Sequence, residues 1–176
     1  MPLVLMTDDR DADWTEAACR LPRGSLAVVR ARDAARRRAL AERLHGIVPL
    51  LIADDPALAE ETGAAGLHLP EVRMREALHW RARHSDWIIT SSAHSLAALM
   101  RAGPLDAVFL SPVFATASHP GASCLTPARA ALIAARAPVP VYALGGVTPA
   151  NAGRIAPAFS GIAAIGALLA APAGCR

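Results

Sequence analysis

Eight short apolar runs, separated by helix-forming stretches, constrain the fold of this chain more than any other feature. They are Leu3–Met6, Leu26–Val29, Ile47–Ile52, Gly66–Leu69, Trp87–Thr90, Ala107–Leu110, Val139–Leu144 and Ile162–Ile165. Short runs without strict polar alternation suit a parallel sheet buried on both faces. Between them lie Asp11–Arg20, Asp33–Leu44, Pro56–Thr62, Val72–Arg83, Ser95–Ala102, Pro127–Arg136, Pro149–Ala156 and a last piece from Ala167, most opening on Asp, Ser, Thr or Pro, the residues that start helices. Repeated β then α with short connections predicts right-handed crossovers and an α/β fold. Eight such units close as a (β/α)8 barrel. The competing architecture, a five-stranded doubly wound open sheet, leaves several of the eight runs unplaced. Spread over 176 residues the units have about 22 each, well under the ~250 residues typical of such barrels, so the third and eighth helices must be short and the loops minimal. No linker, low-complexity stretch or repeat interrupts the pattern, which predicts one domain over residues 1–176.

Two absences exclude whole classes of chemistry. All 18 basic residues are arginine, because the chain contains no lysine. Schiff-base mechanisms need an amine that a guanidinium cannot supply, and the P-loop needs Gly-Lys-Ser/Thr, so both are ruled out. Cys19, Cys124 and Cys175 are odd in number and far apart, with no C-x-x-C pair, which argues against a disulfide framework and a zinc site. The net charge of +3 suits an anionic ligand. Arg36-Arg37-Arg38 lies in a helical pattern with Ala34, Ala35, Ala39 and Leu40 and reads as a solvated helix face rather than a nucleic-acid patch. No run approaches the ~18 apolar residues that span a bilayer. The first ten residues do not read as a secretory signal, so the cytoplasm is the expected compartment.

In a barrel each strand delivers its last residues to one rim, where the site is built. The expected rim is polar. It carries Thr7-Asp8-Asp9, Arg30-Ala31-Arg32, Asp54-Asp55, His68, Ser91-Ser92-Ala93-His94, the stretch from Ser111 to His119, Gly145-Gly146 and Ile165-Gly166. Phosphate sites of such barrels lie in the loops after strands seven and eight, where free backbone N–H groups bind anions, and Gly145, Gly146 and Gly166 fit that role. Arg30 and Arg32 alternate with apolar positions, so both side chains belong on one side of the strand and would repel without an anion between them. Simpler readings stand beside these. The glycines could be turn formers, Asp54-Asp55-Pro56 a helix cap, and His68 a satisfied core histidine. Trp14, Trp80 and Trp87 are expected in the core or its shell.

With these residues in view the chain resembles the thiamine phosphate synthase family and its TenI-like relatives, from Leu3 to Leu169. Seven segments in order carry the resemblance: Val28-Val-Arg-Ala-Arg32, Ile52-Ala-Asp-Asp55, Gly63-Ala-Ala-Gly-Leu-His-Leu69, Ser92-Ala-His-Ser95, Ser111-Pro-Val-Phe-Ala-Thr116, Ala143-Leu-Gly-Gly-Val147 and Gly161-Ile-Ala-Ala-Ile-Gly166. The resemblance implies a transferase that couples an aminopyrimidine methyl diphosphate to a thiazole phosphate, with Mg²⁺ and release of pyrophosphate. It implies Arg30, Arg32, Ser92 and His119 as catalytic residues and Asp54 as the metal ligand. Thr116, Gly145, Gly146, Ile165 and Gly166 become the phosphate-binding set, the glycines admitting a phosphate to the backbone. Partners would be phosphorylated small molecules, without nucleic acid or membrane, and a homodimer is left open.

The departures from that pattern are specific. Pro70-Glu71-Val72-Arg73 stands where the family carries Gly-Gln-x-Asp, so its second metal carboxylate is missing. Glu71 could replace it only in a reshaped loop, and Arg73 could neutralise phosphate charge directly. Ala53 replaces an asparagine, Val28 a glutamine, His119 a lysine and Gly166 a serine, while Pro112 stands where TenI-type enzymes carry a histidine. By resemblance phosphate binding is retained, Gly166 keeping the backbone donor though not the serine side chain; the metal and pyrimidine contacts are thinned. Two other uses stay open: a regulatory protein that binds a phospho-ligand, and an isomerase with His94 or His119 as base.

Overall fold

The computed structural model describes residues 2–115, 124–155 and 157–169. Eight strands form one closed barrel in sequence order: β1 Leu3–Met6, β2 Leu26–Val29, β3 Leu50–Ala53, β4 Gly66–Leu69, β5 Ile88–Ala93, β6 Ala107–Leu110, β7 Val141–Ala143 and β8 Gly161–Ala164. Every neighbouring pair is parallel, and β1 closes on β8 through Leu3↔Ile162 and Leu5↔Ala164. All carboxyl ends therefore meet at one rim. The expected barrel is the fold, and no open edge remains.

Alternation along each strand sorts side chains between two cores. Val4, Met6, Val28, Leu51, Ala53, Phe109 and Ala163 fill the barrel interior. Their neighbours Leu5, Ala27, Val29, Leu50, Ile52, Leu67, Leu69, Ile89, Val108 and Leu110 face outward into a second core shared with the helices. Trp14 is sealed in that outer layer at 1% exposure and Trp87 at 7%, while Trp80 packs at its border.

The helices are α1 Trp14–Cys19, α2 Ala34–Leu44, α3 Pro56–Glu61, α4 Ala77–Arg83, α5 Leu96–Leu99, α6 Pro127–Ala134, α7 Pro149–Ala152 and α8 Gly166–Leu169. Asp13, Asp33, Asp55, Ser95 and Thr126 each cap one of them, accepting a hydrogen bond from the amide three residues on. These caps lie where strands hand over to helices, so they also fix the loops of the rim.

Several boundaries differ from the hydropathy reading. Ile47 and Val48 precede β3, because Gly46 turns the chain at φ +79 and the strand begins only after Pro49. β5 runs three residues past Thr90, with Ser92 turned to the barrel interior beside His68 and Ser91 on the opposite face. The stretch from Val72 divides into a 3-10 helix, Glu71–Glu76, and α4. Side chains three apart eclipse in a 3-10 helix, and there the Arg73 guanidinium clasps Glu76.

Candidate functional site

Beneath the rim, on the β2–β5 side, lies a polar column that begins with His68. This residue shares the interior-facing register of β4, is 3% exposed, and stacks on the Phe109 ring at 4.9 Å. Its Nδ1 is 2.9 Å from the Thr90 hydroxyl and its Nε2 is 3.1 Å from that of Ser92. Burial, reinforced by the positive charge of nearby Arg30, lowers the His68 pKa to about 3. The imidazole is therefore neutral at physiological pH, one nitrogen donating and the other accepting. His68 is thus the satisfied core histidine of the simpler reading, and it also holds the hydroxyl of a candidate site residue.

Arg30 and Arg32 both lie past the last residue of β2, with exposed side chains. The Arg30 amide donates to the buried Thr7 hydroxyl at 3.0 Å, and the Arg32 amide to the Asp9 carboxylate at 2.9 Å. Among the described residues, neither guanidinium has a hydrogen-bond or carboxylate partner. Arg36, Arg37 and Arg38 are not simply solvated: Arg36 donates to the Arg10 carbonyl, Arg37 pairs with Asp55 at 3.1 Å, and Arg38 with Glu61 at 2.5 Å.

The two adjacent aspartates after β3 have separate tasks. Asp55 caps α3, accepting from the Leu58 amide at 3.1 Å. Asp54 adopts a left-handed conformation at φ +57, and its amide donates to the His68 carbonyl at 2.9 Å. Its half-exposed carboxylate is ion-paired with Arg73. The same guanidinium grips Glu76 through Nε at 2.7 Å and Nη2 at 2.6 Å, which holds the Glu76 carboxyl below its ordinary pKa. Glu71 is engaged elsewhere: its carboxylate accepts from the His94 amide and contacts His94 Nδ1, both at 2.8 Å.

This donor set does not fit the magnesium ion that the resemblance implies. Among the described residues no three His, Cys, Asp or Glu side chains converge. The expected ligand, Asp54, already faces a fixed positive charge that would repel a second cation.

Across the rim, Gly145 and Gly146 follow β7 with φ of +91 and +66. A Cβ on Gly145 would stand 2.8 Å from the Pro112 Cα, and one on Gly146 would overlap the Ala115 carbonyl. The pair is glycine because the loop after β6 packs against it and because both residues are left-handed, which gives the doublet a reason beyond admitting a ligand. The amides of Gly145, Gly146, Ile165 and Gly166 have no acceptor among the described residues. Asn151 fastens the turn, accepting from the Thr148 amide at 2.8 Å and donating to the Gly146 carbonyl at 2.9 Å.

Three participants escaped sequence reading. Arg10, after β1, pairs with Asp8 and brings Nη1 to 3.0 Å from where a Gly166 Cβ would stand. Arg154 lies over the Phe114 ring, 5.7 Å from its centroid. Asn151 could have been found from its place three residues after Thr148, the spacing of a capping box. Thr116 and His119 lie outside the described residues.

A closed ring of eight parallel strands with a polar carboxyl rim defines the class of protein: a TIM barrel, the fold whose sites lie at that rim. Within that class, the sequence matches the family described as thiamine monophosphate synthase over residues 3–168, and the chain belongs to this family. It is 35% identical to the putative thiamine-phosphate synthase 2 of Aquifex aeolicus over 113 residues, which are 63% of this chain and 59% of that protein. It is 38% identical to the thiamine-phosphate synthase of Bordetella bronchiseptica over 143 residues, 75% of this chain and 65% of that protein. The matched stretch thus spans less than two thirds of either relative. The solved thiamine phosphate pyrophosphorylase from Pyrococcus furiosus superposes with a TM-score of 0.77 over 98% of this chain and 89% of its own, at 20% identity, a likeness of fold. No helix of the described residues is long and apolar enough to cross a membrane.

Proposed function

We propose that this chain couples an aminopyrimidine methyl diphosphate to a thiazole phosphate. The reading rests on one observation: the guanidiniums of Arg30 and Arg32 and the amides around Gly146 and Gly166, which have no acceptor among the described residues, belong to a single rim, because all eight strands run the same way. In the reaction the bond between the methylene carbon and the diphosphate oxygen breaks, and its electron pair leaves with pyrophosphate. The thiazole nitrogen then places its lone pair on the methylene carbon to form the new C–N bond. Negative charge grows on the leaving group, so cations and donors fixed in advance near it lower the barrier. Arg30 and Arg32 offset that charge. The Ser92 hydroxyl, oriented by neutral His68, donates to it. The amides of Gly145, Gly146, Ile165 and Gly166 hold the thiazole phosphate beside the reacting carbon, with Thr116 and His119 completing the set by resemblance.

Incubating the folded protein with both substrates and measuring thiamine phosphate by mass spectrometry tests the proposal. Product formation that is lost in Arg30→Ala is the expected result. Failure of the folded wild-type protein to form product at high enzyme concentration overturns it. A second reading, a phospho-ligand-binding protein without the chemistry, is favoured by the Asp54–Arg73 pair, which takes up the carboxylate expected to bind metal. Affinity for thiazole phosphate without turnover would distinguish that reading.

A further inference from the structure

We infer that the Arg73 guanidinium takes the place of a divalent cation at this mouth, so that the protein binds a diphosphate group without magnesium. The inference rests on the reading of the rim as a diphosphate site. Its carrying observation is the clasp after β3 and β4. Backbone pairing of Ala53 with His68, continued by the Asp54 amide to the His68 carbonyl, brings the two strand ends together. Arg73 then donates through Nη1 to Asp54 and through Nε and Nη2 to Glu76. A guanidinium offers five N–H groups, so donors on both terminal nitrogens remain for an anion. Arg73 is 33% exposed and Asp54 is 49% exposed, so the pair stands open to a ligand. Held from two sides, this cation is positioned before any ligand arrives.

The surrounding charge agrees. The ends of β2, β3 and β4 present Arg30, Arg32 and Arg73; of the acids there, Asp33 and Asp55 cap helices, Asp55 also pairs with Arg37, and Asp54 and Glu76 are held by Arg73. Glu71, the other acid of the segment, is turned to His94. The guanidiniums gathered there attract a diphosphate directly, whereas a dication placed against Asp54 would meet the Arg73 charge within the same contact.

Isothermal titration with inorganic pyrophosphate, in buffer with excess EDTA and in buffer with magnesium, tests the inference. The expected result is affinity in EDTA within about threefold of that in magnesium, and a loss of about tenfold or more in EDTA for Arg73→Ala. Arg73→Asp should bind poorly in EDTA and regain affinity when magnesium is added. Arg73→Lys, which retains the charge, keeps the test valid if Arg73→Ala fails to fold, and should bind more weakly than wild type while remaining indifferent to magnesium. Wild-type binding that requires magnesium overturns the inference and leaves the diphosphate reading standing. An unchanged affinity in EDTA for Arg73→Ala also overturns it. Absence of binding in both buffers overturns the inference and the site reading together.

Discussion

His68 Nε2 lies 3.1 Å from the Ser92 hydroxyl, so a residue sealed inside the barrel orients one at its mouth. The ring is neutral because of where it lies: both hydroxyls could accept from an imidazolium, but that ion would bring a charge into the core close to Arg30. Burial first, and Arg30 second, hold the His68 pKa at about 3.

This depression makes stability depend on pH in a definable direction. Between about 6.5, the ordinary histidine value, and about 3, the unfolded chain takes up a proton that the folded chain refuses, so stability falls as pH falls. Well inside that window the slope is roughly 1.4 kcal/mol per pH unit. Urea denaturation at pH 7 and pH 5 should show the wild-type protein losing about 2 kcal/mol more than His68→Gln. Equal losses would mean that His68 is not held neutral.

Arg30→Ala should act on two observables. Loss of charged hydrogen bonds to a phosphate costs about 1.5–3 kcal/mol, so pyrophosphate affinity should fall about 10- to 150-fold. The same change removes the positive charge that assists burial in depressing His68, so the His68 pKa should rise, as read from imidazole NMR shifts against pH. Weaker binding with an unmoved histidine would place Arg30 away from the buried column.

How much of this was legible in the sequence depended on whether the cause was local. The barrel was legible, because eight buried runs impose it whatever their exact ends. Ile47 and Val48 misled as strand residues because hydropathy does not register that Gly46 and Pro49 govern the backbone there. Asp54 and Asp55 look alike in one dimension, yet the first meets Arg73 and the second caps α3, and only the meeting of two strand ends separates them. In one dimension the glycine doublet reads either as a turn or as room for a ligand. Its crowded neighbours, Pro112 and Ala115, lie more than thirty positions earlier in the chain, where no local signal reveals them.

Asn151→Ala should loosen the turn after β7 without disturbing the barrel. Two hydrogen bonds, to the Thr148 amide and the Gly146 carbonyl, are lost, at about 1 kcal/mol each. Faster amide exchange at Gly145, Gly146 and Thr148, together with weaker thiazole phosphate binding, is the expected outcome. Unchanged exchange at these amides would show that the turn is held by its packing alone.

Gly146→Ala tests the reason for the glycine itself. At φ +66 an alanine is strained by about 1–2 kcal/mol, and its Cβ would overlap the Ala115 carbonyl and stand 2.8 Å from the Phe114 Cβ. Relieving that overlap requires backbone movement, which adds about 1–3 kcal/mol. Thermal and urea denaturation should therefore show a loss of about 2–5 kcal/mol. Gly153→Ala is the matched control: its φ is −63, and nothing lies within 4 Å of an added Cβ, so its stability should change little. If Gly146→Ala keeps full stability and only phosphate affinity falls, the doublet serves the ligand rather than the loop after β6.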